Sequence, residues 1–190
     1  MKKAVVVAEN RSMFKDKNHF ELFDLRPSFQ VAHDYLEDVY RKLNQQFHPD
    51  RVAQGSSREK LDATLLTAQI NEAYETLKDP LKRGHYLLKH FDPSNDDHPD
   101  HTIKDPDLLL EALEQQEALS LAKTTQDIEP LLEQGRAKKS WTLLMVEKAF
   151  DEKDFCQARL NLYRYRYYDK LISDAKVQLS EKLKDHASTA

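Results

Sequence analysis

Apolar residues recur along this chain at helical spacing, and short polar breaks separate the segments. Phe20, Leu22, Phe23 and Leu25 predict a short helix within His19–Arg26 that stops near Pro27. Leu36, Val39, Tyr40, Leu43 and Phe47 follow at steps of three and four, which predicts an amphipathic helix from Ala32 to Phe47. It must end near His48, because Pro49 lacks an N–H and pushes the residue before it out of the helical region. Beyond a polar loop containing Gly55, Ser56 and Glu59 have the spacing of a capping box. The helix they open carries Leu61, Leu65, Leu66, Ile70, Ala73, Tyr74 and Leu77. Asp79-Pro80 ends it and supplies an N-cap and first position for another short helix through Tyr86, Leu87 and Leu88.

Residues 91–105 show no apolar periodicity and contain Pro93 and Pro99, so a domain boundary is expected near their start. Asp105-Pro106 then opens a helix to about Ala122. A second runs from Thr125 to Phe150, with Pro130 tolerated only near its beginning. Asp151 is the expected cap of a third, which reaches about Lys184. Three long helices on short connections predict an antiparallel bundle. The expected division is a tail over 1–18, a helical domain over 19–92, a linker over 93–104 and the bundle over 105–190.

Composition narrows the chemistry. Only three glycines occur in 190 residues, and Gly55, Gly84 and Gly135 stand alone, so no glycine-rich phosphate loop is present. The same scarcity disfavours a β-sandwich or barrel built on tight turns. The formal net charge of −4 gives no global basic field for nucleic acid or an anionic membrane. Cys156 is the lone cysteine, which fits a reducing compartment. No apolar run approaches the ~20 residues that span a bilayer. The apolar stretch Ala4–Ala8 is too short for a secretory signal, and Glu9 and Asp16 disfavour a mitochondrial presequence. A tail or short extra element is expected there.

His48-Pro49-Asp50 is the sharpest motif, although a tripeptide alone means little. The chain contains it twice, and His98-Pro99-Asp100 sits in the polar linker without a helical frame. The first copy lies between two amphipathic helices. Taken by itself it is an ordinary proline-stopped helix with a polar turn. Its flanks add more: Tyr40–Arg51 resembles the second helix and loop of a J-domain, the DnaJ-type module. Ile70–Arg83 resembles the end of that module's third helix, and Phe20–Leu25 resembles its first. The resemblance implies a co-chaperone that stimulates ATP hydrolysis by a DnaK-type chaperone, with His48, Pro49 and Asp50 in contact with it. Arg41, Lys42 and Arg51 place positive charge beside the loop, where they either steer an acidic partner or form an ordinary solvated face. Asp34, Glu37 and Asp38 make the same helix less basic than in many general J-proteins, which points to a specialised partner.

On the helix opened by Asp105-Pro106, Leu108, Ala112 and Leu119 fall on one side. Leu109, Leu110 and Leu113 fall on another, followed by Glu114 and Glu117. The second stripe is either an exposed apolar patch with an acidic border, a mark of protein binding, or it is buried between neighbours. The segments His101–Glu111 and Tyr167–Leu171 resemble the C-terminal bundle of the HscB family, J-type co-chaperones of iron–sulfur cluster biogenesis. So does the layout, a J-domain followed by a three-helix bundle with no Gly/Phe-rich region and no zinc module. The resemblance implies an all-α, L-shaped molecule that brings an IscU-type scaffold to an HscA-type chaperone. By it, Leu109, Leu110, Leu113, Glu114, Glu117 and Tyr167 correspond to scaffold contacts. A further acidic contact of the family falls at Leu121 here, which puts a charge contact at that position in doubt.

The expected function is thus activation of a partner's ATPase, with no catalytic residue, no cofactor and no metal. The bacterial cytoplasm is the expected location, ahead of the mitochondrial matrix, and self-association is left open. Tyr163–Tyr168 interleaves aromatic and basic residues, but on a helix these point in several directions, so nucleic acid is not expected. Tyr163 and Tyr167 share a face with Leu160 and Leu171, which predicts that at least one is core. Two alternatives stand: a general J-protein with another client, and a metal-dependent hydrolase using Asp96, Asp97, His98, Asp100 and His101.

Overall fold

Seven α-helices and one 3-10 turn form the computed structural model, which describes residues 17–52, 55–93 and 105–188; among these residues there is no strand. In order they are α1 (His19–Leu22), α2 (His33–Phe47), the 3-10 turn Pro49–Val52, α3 (Ser57–Lys78), α4 (Pro80–Phe91), α5 (Pro106–Leu121), α6 (Thr125–Asp151) and α7 (Phe155–Ser188). The chain divides into two compact units, Met1–Leu87 and Leu88–Ala190, and the division falls within α4.

In the first unit, α2 and α3 form an antiparallel hairpin. The Tyr40 and Tyr74 rings stack at 3.9 Å, and the Tyr40 hydroxyl donates to Asn71 Oδ1 at 3.0 Å. Phe20, Leu36, Leu66, Ile70 and Leu77 fill the space between the elements, each at most 1% exposed. The capping box holds: Ser56 Oγ accepts from Glu59 N, and Glu59 Oε2 accepts from Ser56 N. Asp79 Oδ1 accepts from Lys82 N and so caps α4 behind Pro80. Two expectations change. Helix α1 ends at Leu22, because the chain reverses at Asp24, whose φ of 54° is left-handed. Aspartate tolerates that conformation, and the reversal lets both Phe20 and Phe23 point into the core. Leu61 and Leu65 are exposed rather than core. The last residue of α2, Phe47, lies beside Thr67, whose hydroxyl donates to its carbonyl at 3.1 Å. At about 100° per residue Leu61 and Leu65 fall on the side of α3 opposite Leu66, Ile70 and Leu77, whereas Asp62 and Ala63 lie toward the buried side.

In the second unit, α6 and α7 pack antiparallel along most of their length, with Lys139 paired to Asp169. Gly135 permits the close approach: a Cβ there would lie 3.2 Å from Ile172 Cγ1. Helix α5 lies antiparallel to α6 and parallel to α7, and Leu119, Ile128, Leu132, Leu171, Ile172 and Ala175 join in one apolar cluster. Thr124 and Asp127 cap α6 reciprocally. The start of α7 differs from the expectation. Asp151 is the last residue of α6, the chain turns through Lys153 at φ 58°, and Asp154 caps α7 by accepting from Gln157 N. The tyrosines also differ, since Tyr165 and Tyr168 are buried while Tyr163 and Tyr167 are only half-buried. The Tyr165 ring lies under Lys139 and the Tyr168 hydroxyl is used by Glu111, so both face the other helices.

Candidate partner-binding sites

Two surfaces carry the residues singled out from the sequence, one in each unit. The first is the turn after α2. Phe47 anchors the helix end at 3% exposure, and Pro49 ends the helical pattern one residue later. His48 and Asp50 then stand out, with side chains 54% and 89% exposed. Asp50 N donates to His48 Nδ1 at 3.3 Å. The same ring nitrogen lies 3.4 Å from Asp50 Oδ2, so the backbone and the carboxylate of Asp50 both approach it. Arg41 pairs with Glu37 at 3.2 Å and Lys42 with Asp38 at 3.7 Å, both on the solvent side of α2. The acidic residues of the helix thus neutralise part of its basic face. The side chain of Arg51 lies outside the described residues, as does the whole second tripeptide, His98-Pro99-Asp100.

The second surface is the outer face of α5. Asp105 starts the helix by accepting from Asp107 N and Leu108 N, and Pro106 occupies the first position, where no N–H is needed. Leu108 and Leu119 are buried, whereas Leu109, Leu110 and Leu113 are 44%, 59% and 69% exposed. Glu114 and Glu117 are exposed beside them. On the helical wheel, Leu121 falls within the same arc at 67% exposure, so the apolar stripe continues one turn past Glu117. Tyr167 is half-buried, and its hydroxyl donates to the Ala112 carbonyl on the adjoining flank of α5 at 3.3 Å.

Several residues that hold this helix were not legible in the sequence. Arg164 pairs with Asp105 at 2.8 Å. The Glu111 carboxylate accepts from Tyr168 Oη at 2.9 Å and pairs with Lys138. Gln178 Nε2 donates to the Leu119 and Ala122 carbonyls, closing the far end. Burial and the Glu111 charge push the Tyr167 hydroxyl up to about 12 and raise that of Tyr168 as well, so both remain neutral donors at pH 7. All these partners are far apart in sequence; only the Asp105-Pro106 start gave a local signal.

Among the described residues no group of three or more His, Cys, Asp or Glu is placed to hold a metal ion, and no helix is long and apolar enough to cross a membrane. The Asp/His linker of the hydrolase alternative lies outside the described residues.

A His-Pro-Asp turn joining an antiparallel helix pair defines the class of J-domain co-chaperones, and residues 18–86 match the DnaJ domain. Residues 104–176 match the HSCB C-terminal oligomerisation domain. The co-chaperone protein HscB homolog of Neisseria gonorrhoeae is 34% identical over 156 residues, spanning 80% of this chain and 93% of that protein. The homolog from Neisseria meningitidis serogroup B is 33% identical over the same spans. Among solved structures, human co-chaperone HscB superposes with a TM-score of 0.79 at 30% identity, covering 86% of this chain and 82% of that one. Chaperone HscB from Vibrio cholerae gives 0.75 at 28% identity, covering 87% and 99%. The chain belongs to the HscB family of co-chaperones.

Proposed function

We propose that this co-chaperone delivers an IscU-type iron–sulfur scaffold to an HscA-type Hsp70 chaperone and stimulates that chaperone's ATPase. His48, Pro49 and Asp50 dock on the chaperone, with Arg41, Lys42 and Arg51 guiding the encounter. Leu109, Leu110, Leu113, Glu114, Glu117 and Tyr167 hold the scaffold. The observation that carries the reading is the exposure of three leucines within five residues on α5, with two glutamates at their border. Such an apolar centre with a charged edge is the composition of a protein-binding patch.

The mechanism needs no covalent step on this chain. A pre-formed turn at Pro49 lowers the entropy lost when His48 and Asp50 dock. Carrying the scaffold on the same chain raises its effective concentration at the chaperone. Hydrolysis in the chaperone then tightens its hold on the scaffold and favours release of the cluster to recipient proteins. The bacterial cytoplasm is the setting this reading implies.

The test is a steady-state ATPase titration of an HscA-type chaperone with this chain, with and without an IscU-type scaffold. Stimulation by the chain alone and a further rise with scaffold are expected. Stimulation that ignores the scaffold makes the protein a J-protein for another client, and no stimulation ends the reading.

A further inference from the structure

The outward face of α6 is a second apolar surface, separate from the leucines of α5. Trp141 and Leu144 lie within one turn of each other and are 54% and 59% exposed. Ala137 and Ser140 fall in the same arc of about 100° on the helical wheel and are exposed as well. Ile128, Leu132, Thr142 and Val146 occupy the opposite side and are buried in the bundle. The fold therefore does not require Trp141 and Leu144 to be apolar. Tryptophan is enriched at the centres of protein interfaces. Carboxylates bracket this patch: Glu129 and Glu133 are exposed on the same side of α6 before it, and Asp151 and Glu152 after it. The cations on that side are Arg136 and Lys148, and Lys148 already reaches Glu152 at 3.8 Å. Glu133 and Asp151 fall on one line along the helix about 27 Å apart, at 1.5 Å per residue, with Ala137, Ser140 and Leu144 between them.

We propose that this face binds a cationic amphipathic helix of a partner protein. The apolar centre of that helix packs on Trp141 and Leu144, and a lysine or arginine at each end meets Glu133 and Asp151. A helix fits because the patch is a strip one helix wide. Ala137 and Ser140 are small, so they leave grooves beside the two large side chains for the ridges of a second helix. Cations about 27 Å apart need about five turns of partner helix. The sign follows from the surplus of carboxylates: an acidic partner helix would set like charges against each other at both ends, which costs affinity and slows encounter. A second copy of the chain would bring the same surplus. The strip lies on a different helix from Leu109, Leu110 and Leu113, and binding there is independent of the ATPase and scaffold reading.

Trp141 is the single tryptophan of the chain, so its fluorescence reports occupancy of the strip directly. The probe is a tryptophan-free helical peptide of about twenty residues, with leucine and alanine along one face at its centre and lysine at both ends. Its control carries glutamate in place of each lysine. Titrating the full chain with the lysine peptide should shift Trp141 emission to the blue and saturate, more weakly at high salt; the glutamate peptide should give no shift. Glu133→Lys with Asp151→Lys should weaken the lysine peptide about tenfold or more and make the glutamate peptide bind. Both positions are exposed, so helical circular dichroism should stay unchanged. Leu113→Asp on α5 should leave the response intact. No shift in the wild type, or a shift that the charge reversal does not move, overturns the proposal. A response lost in Leu113→Asp places the peptide on α5 and overturns it too. A blue shift that grows with protein concentration in the absence of peptide gives the strip to a second copy, and the cationic partner is then wrong.

Discussion

Glu111 of α5 accepts a hydrogen bond from Tyr168 of α7 at 2.9 Å and pairs with Lys138 of α6, so one carboxylate ties the first helix of the bundle to both of the others. The tie matters because α5 buries little, Leu108 and Leu119 being its buried residues. Asp105–Arg164 at one end, Glu111 in the middle and Gln178 at the other end then set how the helix is rotated about its axis. That rotation decides that Leu109, Leu110 and Leu113 face outward.

Glu111→Ala should therefore loosen α5 selectively. It leaves the Tyr168 hydroxyl and the Lys138 ammonium without their shared acceptor, which costs about 1–3 kcal/mol for a buried group and less here, where both partners keep some exposure. Tyr168→Phe removes only one hydroxyl and should cost about 0.5–1.5 kcal/mol. Hydrogen exchange reads the difference: amides of α5 should exchange faster while those of α6 and α7 hold. An equal acceleration across all three helices would make Glu111 an ordinary contributor to global stability.

Two leucines on α5 should respond in opposite ways. Leu108 is 2% exposed, and Leu108→Ala should cost about 2–5 kcal/mol of stability, as truncation of a buried leucine commonly does. Leu113 is 69% exposed, and Leu113→Ala should leave melting near wild type while weakening scaffold binding, by ~2 kcal/mol if it sits at the centre of the interface. Calorimetric titration and thermal unfolding of the two variants separate these roles. A Leu113→Ala chain that binds scaffold like the wild type would move the site elsewhere.

Much of this was legible because it is local. The Ser56/Glu59 box, the Asp79-Pro80 and Asp105-Pro106 junctions and the stop at Pro49 each follow from residues within a few positions of one another. The two faces of α5 were also readable, since helical geometry alone separates Leu108 from Leu109. What escaped depends on which side of a helix the core uses or on a distant partner. Leu61 and Leu65 are apolar like the core residues of α3 but fall on its opposite side, so they stay exposed. Asp151 looks like a cap, yet a reversal at Lys153 passes that role to Asp154. Glu111, Lys138 and Tyr168 sit 27 to 57 residues apart, and nothing in the periodicity joins them.

The turn at His48 gives the sharpest functional separation. His48→Gln should abolish stimulation of the partner ATPase without changing helix content or scaffold affinity, because the ring is exposed and contributes nothing to the apolar core. The matching change His98→Gln should have no effect on stimulation. An ATPase assay on both variants decides which tripeptide is used, and a loss at His98 would reverse the assignment.

Leu121 offers a test of how far the α5 patch extends. It lies one turn beyond Glu117 at 67% exposure, where an acidic residue would otherwise continue the charged border. If the scaffold covers this turn, Leu121→Asp should weaken binding and make the remaining affinity more salt-dependent, since a buried apolar contact is exchanged for a screened charge. Titrations at low and high salt give the answer, and an unchanged affinity at both would end the patch at Glu117.

Acid should release α5 through Asp105. Burial raises its carboxyl, but the Leu108 amide, the Arg164 guanidinium and the Asp107 amide outweigh that and hold it below the usual carboxylate range. A carboxyl whose folded value lies below its unfolded value of about 3.9 contributes stability that is fully present above the unfolded value. That contribution is lost as the pH falls through the folded value. Docking of α5 should therefore be level between pH 7 and pH 5 and weaken only below about pH 4. Asp127 is lowered in the same way, chiefly by hydrogen bonds from the Thr124 amide and hydroxyl, so the start of α6 should loosen in the same window. Asp105→Asn separates the two. It keeps an acceptor for the α5 amides, loses the ion pair with Arg164, and cannot titrate. The variant should show faster α5 exchange at neutral pH and a flatter response below about pH 4, while the acid response at the start of α6 persists. Hydrogen exchange followed by mass spectrometry, corrected for the intrinsic pH dependence of exchange, measures both segments at once. Release of α5 already between pH 7 and pH 5 would assign its docking to a group that titrates near neutrality and remove Asp105 from that role.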